Sequence, residues 1–193
     1  MRVGLYSALR DRAPGPLLRL VYRIEVRGLV PPGPCIVVAN HESLLDPVLL
    51  PLAAREPLRF MAKEELFRTR LGAGLLEALG AFPVGRGRGD HEAVDRGVEL
   101  LAAGAAIAIF PAGNVQDGVW HRGAARLALH TGAPLVPVRI ENAARALSRG
   151  RIGFPRIRIL VGEPIPVKRA KPTIAAARAL TDAARNAVRT LSP

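Results

Sequence analysis

The sequence predicts a single α/β domain with a largely parallel central sheet flanked by helices, and three observations predict it. Short apolar runs of strand length alternate with longer segments of helical periodicity along the chain. With 193 residues, 49% hydrophobic and 23% charged, the chain is long enough to bury one core with a pocket. It shows no internal repeat, no long linker and no run of 18 or more apolar residues, so membrane spanning is not expected.

The elements follow in order. Apolar positions Leu5, Leu9, Leu17, Leu18, Val21 and Ile24 stand at near-helical spacing with arginines between them, interrupted by APGP at 13–16, which fits two short amphipathic helices. Such a basic segment packs against the domain or rests on an anionic bilayer surface. After VPPGP at 30–34, CIVVAN reads as a short buried strand, and the apolar stretch holding Pro47 and Pro51 as an irregular helix start. LRFMAK is a second strand, EELFRTRLGAGLLEALG a helix weakened by its glycines, and AFPV a third strand. DHEAVDRGVELLAAG is a helix with Asp90 as its expected cap, and AIAIFP a fourth strand. GAARLALHTGA is a helix, PLVPVRI a fifth strand, RIRILVGEPI a sixth, and KPTIAAARALTDAARNAVRTL a closing amphipathic helix. The expected divisions are 1–26 for the N-terminal helices, 27–168 for the core and 169–193 for the C-terminal helix.

Composition narrows the function. The N-terminus MRVGLYSALRDR lacks the short apolar core and small-residue cleavage site of a secretory signal, so a cytoplasmic protein is expected. The single cysteine, Cys35, excludes a disulfide framework, and its place at the head of CIVVA suits a small buried hydrophobe. A net charge of +12, from 28 basic and 16 acidic residues, points to an anionic partner, although heavy use of Arg, Ala, Gly and Pro also fits a GC-rich genome. Nucleic acid is not the expected partner: aromatic residues are only 4% of the chain and the basic residues form no stripe.

The chemistry concentrates in NHESLLD, 40–46, where His41 lies just past a strand end and Asp46 at the edge of the following helix. Residues five apart in one helix are rotated by ~140° and share no face, so pairing requires His41 to sit in the preceding turn. A carboxylate on one ring nitrogen fixes the tautomer and supports positive charge, leaving the other nitrogen to take a proton from an attacking hydroxyl. A structural reading stands beside this: Asp46-Pro47 suits a cap with a first-turn proline, and Ser43 with Asp46 has the capping-box spacing. Strand AFPV running into GRGRGD and a helix brings Arg86, Arg88 and a helix N-terminus together, a phosphate site in form. Asp90 stands where the last glycine of a dinucleotide fingerprint would be. His91 and Asp95 share a helix face without a third ligand. The four histidines show no zinc spacing, and no Gly-x-Ser-x-Gly elbow is present.

Over roughly residues 27–168 the chain resembles the glycerolipid acyltransferases, the lysophosphatidate acyltransferase family. NHESLLD resembles the Asn-His-x-x-x-x-Asp signature, MAKEELF (61–67) the Lys-x-Glu-Leu segment, and GAFPVGR (80–86) the Gly-x-x-Phe-x-x-x-Arg block. IFPAGN (109–114) resembles the Phe-Pro-Glu-Gly-Thr block and APLVPVRI (133–140) the Val-Pro-Val block. The resemblance implies direct transfer of an acyl group from acyl-CoA or acyl carrier protein to a hydroxyl, with His41 as general base and Asp46 orienting it. It implies no covalent acyl-enzyme, no metal and no cofactor beyond the acyl donor. Arg86 would bind the acceptor phosphate, and Lys63, Arg88, Gly113 and Asn114 are the further substrate-binding candidates of these blocks. Leu44, Leu45, Val136 and Val138 are candidates for an apolar acyl groove, or for core packing.

The third block departs from the family: Ala112 occupies the glutamate position and Asn114 the threonine position. A methyl group neither accepts a hydrogen bond nor balances arginines, and loss of one charge-assisted contact typically forfeits ~1.5–3 kcal/mol. Three readings compete. One is a lysophosphatidate acyltransferase in which Asp117 or a backbone group replaces the carboxylate. The second is an acyltransferase whose acceptor is a hydroxyl or amine of a specialised metabolite or glycolipid. The third is a non-catalytic lipid- or acyl-carrier-binding module, against which the retention of both His41 and Asp46 argues. The basic charge fits a protein that touches an anionic membrane peripherally.

Overall fold

The apolar runs pair into one sheet whose central strands are buried on both faces. The computed structural model describes residues 15–67, 74, 76, 80–84, 89–113, 118–148 and 151–192. Helix α1 (Gly15–Val21) leads into strand β1 (Glu25–Arg27), then β2 (Ile36–Ala39). The Pro-bearing segment forms the four-residue helix α2 (Asp46–Leu49), which tightens into a 3-10 turn, Leu50–Ala53. Strands β3 (Leu58–Lys63) and β4 (Ala81–Val84), helix α3 (Gly89–Ala102), strand β5 (Ala106–Ile109), helix α4 (Gly123–Thr131) and strand β6 (Leu135–Glu141) follow. The small β7–β8 pair (Leu147–Ser148 and Arg151–Ile152), strand β9 (Arg158–Val161) and helix α5 (Ile174–Thr190) complete the order.

Seven strands form the main sheet in the order β1-β9-β6-β2-β5-β3-β4. Every neighbouring pair is parallel except β6–β9, where Val138 opposes Val161 and Ile140 opposes Ile159. Strand β2 is the centre: Ile36 pairs with Ile107 on one side and Leu135 on the other. Alternate residues of β2 enter opposite cores, as the two-residue period of a strand requires. Val37 and Ala39 join the core under α2, with Leu49, Leu50, Val136 and Val138. Ile36 and Val38 join the core under α3, α4 and α5, with Ile107, Leu127 and Ala184.

The helices are explained by small residues and caps. Helix α5 buries Ala177, Thr181, Ala184 and Val188, a spacing of four, three and four that keeps one stripe against the sheet. Thr173 caps it, its side chain accepting from the Ala176 amide at 3.2 Å. Helices α3 and α4 meet at Gly97, where an added Cβ would stand 2.8 Å from a Leu127 methyl.

The predicted α/β class and mostly parallel sheet are observed, with local differences. Strand β1 and the β7–β8 pair were not expected. Helix α3 begins at Gly89, so Asp90 stands inside its first turn and does not cap it. Where a helix was expected from residue 64, Glu64–Phe67 forms a 3-10 turn, and most of residues 68–79 lie outside the described residues. Of the two N-terminal helices, the second is α1; the first lies outside the described residues. Among the described residues no helix is long and apolar enough to cross a membrane.

Candidate active site

Strands β2, β3, β4 and β5 run in parallel, so their carboxyl ends share one edge of the sheet, where an open α/β sheet presents its crevice. The segment from His41 follows β2, the turn from Phe110 follows β5, Lys63 ends β3 and Val84 ends β4.

Asn40 begins the site by extending β2 beyond its backbone ladder. Its side-chain oxygen accepts the Ile140 amide at 2.8 Å and its side-chain nitrogen donates to the Ile140 carbonyl at 2.7 Å, so one amide group does the work of a strand residue. The chain beyond it turns sharply, with the Asp46 amide donating to the Ser43 carbonyl at 3.1 Å and the Leu45 amide to Ser43 Oγ at 3.2 Å. Asp46 is the first residue of α2 and Pro47 the second, a position where the missing N–H leaves nothing unpaired. The residue before the helix is Leu45, which offers no side-chain cap.

The Asp46 carboxylate reaches back across this turn. Its Oδ2 accepts from the Glu42 amide at 2.7 Å, from the Ser43 amide at 2.9 Å and from His41 Nδ1 at 2.8 Å. Its side chain is completely buried, that of His41 13% exposed. One oxygen therefore both staples the turn and holds the imidazole, while the cap position that the sequence suggested for Asp46 is taken by Leu45. With the proton on Nδ1, His41 Nε2 carries the free lone pair, and among the described residues it has no hydrogen-bond partner. The other carboxylate oxygen, Oδ1, is buried and has no partner among the described residues.

Surrounding groups shape the electrostatics. Glu42 accepts from the Asn40 side chain at 3.1 Å, and its carboxyl is pushed above the ordinary range by burial and by the negative charge of Asp46. Arg139, on the neighbouring strand, is held by Glu141 at 3.3 Å and by the carbonyls of Arg189 and Leu191. Cys35 is buried, and burial raises its thiol to about 11, so thiolate chemistry is absent from this residue at neutral pH.

Against the His41 ring lies Phe110, with ring centroids 4.4 Å apart and planes inclined by 22°. Phe110 opens the third block. Its carbonyl accepts the Gly113 amide at 2.9 Å, and Gly113 closes this turn at φ +71°, a conformation that favours glycine. Ala112 is buried at 6% exposure, so the position of the family glutamate holds an enclosed methyl group. His121 stands beside this turn, its amide donating to the Pro111 carbonyl at 2.9 Å.

Of the residues expected at the site, the structure brings together His41, Asp46 and the turn containing Gly113. Lys63 is described only through its backbone, which pairs with Val84. Arg86, Arg88 and Asn114, with Asp117, lie outside the described residues. Leu44 is 80% exposed, and Leu45 packs partly buried on the core. Val136 and Val138 are fully buried in that core, which accounts for both by packing and leaves neither any groove surface. Sequence reasoning overlooked Asn40 and Phe110 as working members of the site. Their signal was available: each directly follows a central strand, at the edge where parallel sheets carry function.

The chain is similar to known proteins over most of its length. Residues 23–141 match the family model described as Acyltransferase. A 1-acyl-sn-glycerol-3-phosphate acyltransferase of Bacillus subtilis is 27% identical over 133 residues, covering 67% of this chain and 66% of that protein. A chloroplastic 1-acyl-sn-glycerol-3-phosphate acyltransferase of Brassica napus is 27% identical over 157 residues, 75% of this chain but 45% of that protein. The lyso-ornithine lipid O-acyltransferase of Pseudomonas aeruginosa is 34% identical over 161 residues, 72% of this chain and 62% of its own. This chain thus spans between about half and two thirds of the length of these relatives. The crystal structure of PlsC, the 1-acyl-sn-glycerophosphate acyltransferase of Thermotoga maritima, shares the fold with a TM-score of 0.63 at 21% identity, over 96% of this chain and 85% of that one.

Proposed function

Since this chain belongs to the acyltransferase family, we propose that it moves a fatty acyl group from acyl-CoA or acyl carrier protein to the hydroxyl of a lysophosphatidate-like lipid. The observation that carries the mechanism is the 2.8 Å bond from His41 Nδ1 to the buried Asp46 carboxylate, which leaves Nε2 as the proton acceptor. In the reaction, Nε2 takes the proton of the acceptor hydroxyl as its oxygen attacks the thioester carbonyl. The tetrahedral intermediate then expels the donor thiolate. The C–O bond forms, the C–S bond breaks, and the imidazolium returns its proton to the leaving sulfur, with no acyl-enzyme. Asp46 holds the tautomer and offsets the positive charge throughout. No metal enters this scheme. Arg86 is assigned the acceptor phosphate by its place in the second block, and Lys63, Arg88, Gly113 and Asn114 are the further substrate-binding candidates of these blocks.

A second acceptor is favoured by two specific observations. The lyso-ornithine lipid O-acyltransferase shares 34% identity with this chain, and the enclosed methyl of Ala112 stands where the family carries a carboxylate. A lipid acceptor with an amino-acid headgroup would need a differently built third block. The deciding experiment measures free CoA released from a long-chain acyl-CoA with lysophosphatidate or with lyso-ornithine lipid as acceptor. Lysophosphatidate-dependent release supports the first acceptor. Release only with lyso-ornithine lipid replaces it with the second, and release with neither from folded protein defeats both.

On the same reading, the +12 charge brings the protein to the anionic cytoplasmic face of a membrane, where its lipid acceptor lies. Flotation with anionic vesicles at low salt, and loss of flotation at high salt, is the expected result. No binding at low salt would oppose it.

A further inference from the structure

Three rings, one on β3 and two just past the ends of β2 and β5, stand in one stack at the site. Phe60, on β3 and 4% exposed, lies 6.3 Å from Phe110 with planes inclined by 17°. Phe110 in turn lies 4.4 Å from His41 with planes inclined by 22°. The order β2-β5-β3 in the sheet brings the chain segments that carry these side chains side by side. Asp46 fixes only one atom of the imidazole, Nδ1, and one hydrogen bond still lets the ring swing about the Nδ1–Oδ2 line. An aromatic face at 4.4 Å removes that freedom by closing one side of the ring. It also presents the negative face of a quadrupole to whatever charge the imidazole acquires, at well under the ~6 Å reach of a cation–π contact.

We propose that Phe110 is a positioning residue for His41: its ring face, backed by Phe60, fixes the imidazole plane and stabilises the imidazolium formed as the acceptor's proton is taken. This rests on the reading of His41 as general base. Neither the fixed ring plane nor the stabilised charge involves a contact with substrate, so both act on kcat and not on the binding of either substrate. A contact of this class is worth about 3-fold to about 30-fold in rate.

The test compares wild type, Phe110→Leu, Phe110→Tyr and His41→Ala in turnover of long-chain acyl-CoA, with proton NMR of the His41 ring. The His41 resonances are assigned by their absence from His41→Ala and compared with those of His130, exposed on α4. Phe110→Leu should lower kcat by about 3-fold to 30-fold with both KM values within about twofold of wild type. Phe110→Tyr, which keeps the ring, should restore kcat. The His41 ring protons should lie upfield in wild type and Phe110→Tyr, through the ring current of the stacked face, and return toward the His130 position in Phe110→Leu. Wild-type kcat in Phe110→Leu, or a rise in KM alone, would overturn the proposal. So would His41 protons with no upfield displacement in wild type. If Phe110→Leu does not fold, the wild-type spectrum and Phe110→Tyr decide: loss of the upfield position or of kcat in the tyrosine variant overturns it. Turnover retained in His41→Ala defeats the general-base reading itself, whereas normal dependence on His41 with an indifferent Phe110→Leu defeats only the role of Phe110.

Discussion

Replacing Asp46 separates its two duties. Its Oδ2 accepts three N–H groups, from His41 at 2.8 Å, Glu42 at 2.7 Å and Ser43 at 2.9 Å, in a side chain that is wholly buried. In Asp46→Ala all three donors lose their acceptor, and an unpaired buried donor costs about 1–3 kcal/mol. Their sum has an upper bound of about 9 kcal/mol, but Glu42 is only partly enclosed and water can reach its amide, which leaves two donors and about 2–6 kcal/mol. Against a total stability of about 5–15 kcal/mol for a domain, that loss is a large share. Asp46→Asn keeps an oxygen for the turn and loses only the charge, so about 1–2 kcal/mol of stability should go. Its kcat should fall by up to about 10²-fold to 10⁴-fold, the range that general-base catalysis itself supplies. Urea denaturation gives the first quantity and thioester turnover the second. An alanine variant within about 1 kcal/mol of wild type, or an asparagine variant with wild-type kcat, would refute the reasoning.

Two further perturbations address the frame around the pair. Asn40→Ala leaves the Ile140 amide and carbonyl unpaired at the end of β2 and should cost about 2 kcal/mol in urea denaturation, with turnover reduced beyond the stability loss; a neutral effect would show that water replaces the side chain freely. Glu42 has a folded-state pKa raised by burial and by Asp46, so its ionised form disfavours folding above that pKa, and the penalty vanishes once pH falls below the ordinary glutamate value. Glu42→Gln should therefore raise the thermal midpoint at pH 7 and lose that advantage at pH 4, whereas an equal gain at both pH values would contradict the electrostatic cause.

Much of this architecture was legible because its central strands are covered on both faces. Strands β2 and β5 are apolar at every position, and the bounds of β3 and β4 agree with the runs LRFMAK and AFPV to the residue. Strand β1 was hidden because its three residues, Glu25 to Arg27, alternate charge with one valine at the sheet edge. There Glu25 is surrounded by Arg27, Arg156 and Arg158, which hold its carboxyl below the ordinary range. The pairing of His41 with Asp46 could be read from spacing once the turn was placed. The local roles around it could not: Asp46 looked like a helix cap, yet its carboxylate serves the turn behind it and the cap position falls to Leu45. Phe110 was visible as a surviving member of the third block, but its stack on His41 depends on the β2–β5 pairing of distant segments, which no local pattern encodes.

The most direct test of the central claim is the release of CoA from a long-chain acyl-CoA by folded wild type and His41→Ala, each with its cognate lipid acceptor. The account predicts acceptor-dependent release by wild type and a loss of about 10²-fold or more in the variant, with its fold intact by circular dichroism. Equal release by the two proteins would contradict His41 as the general base.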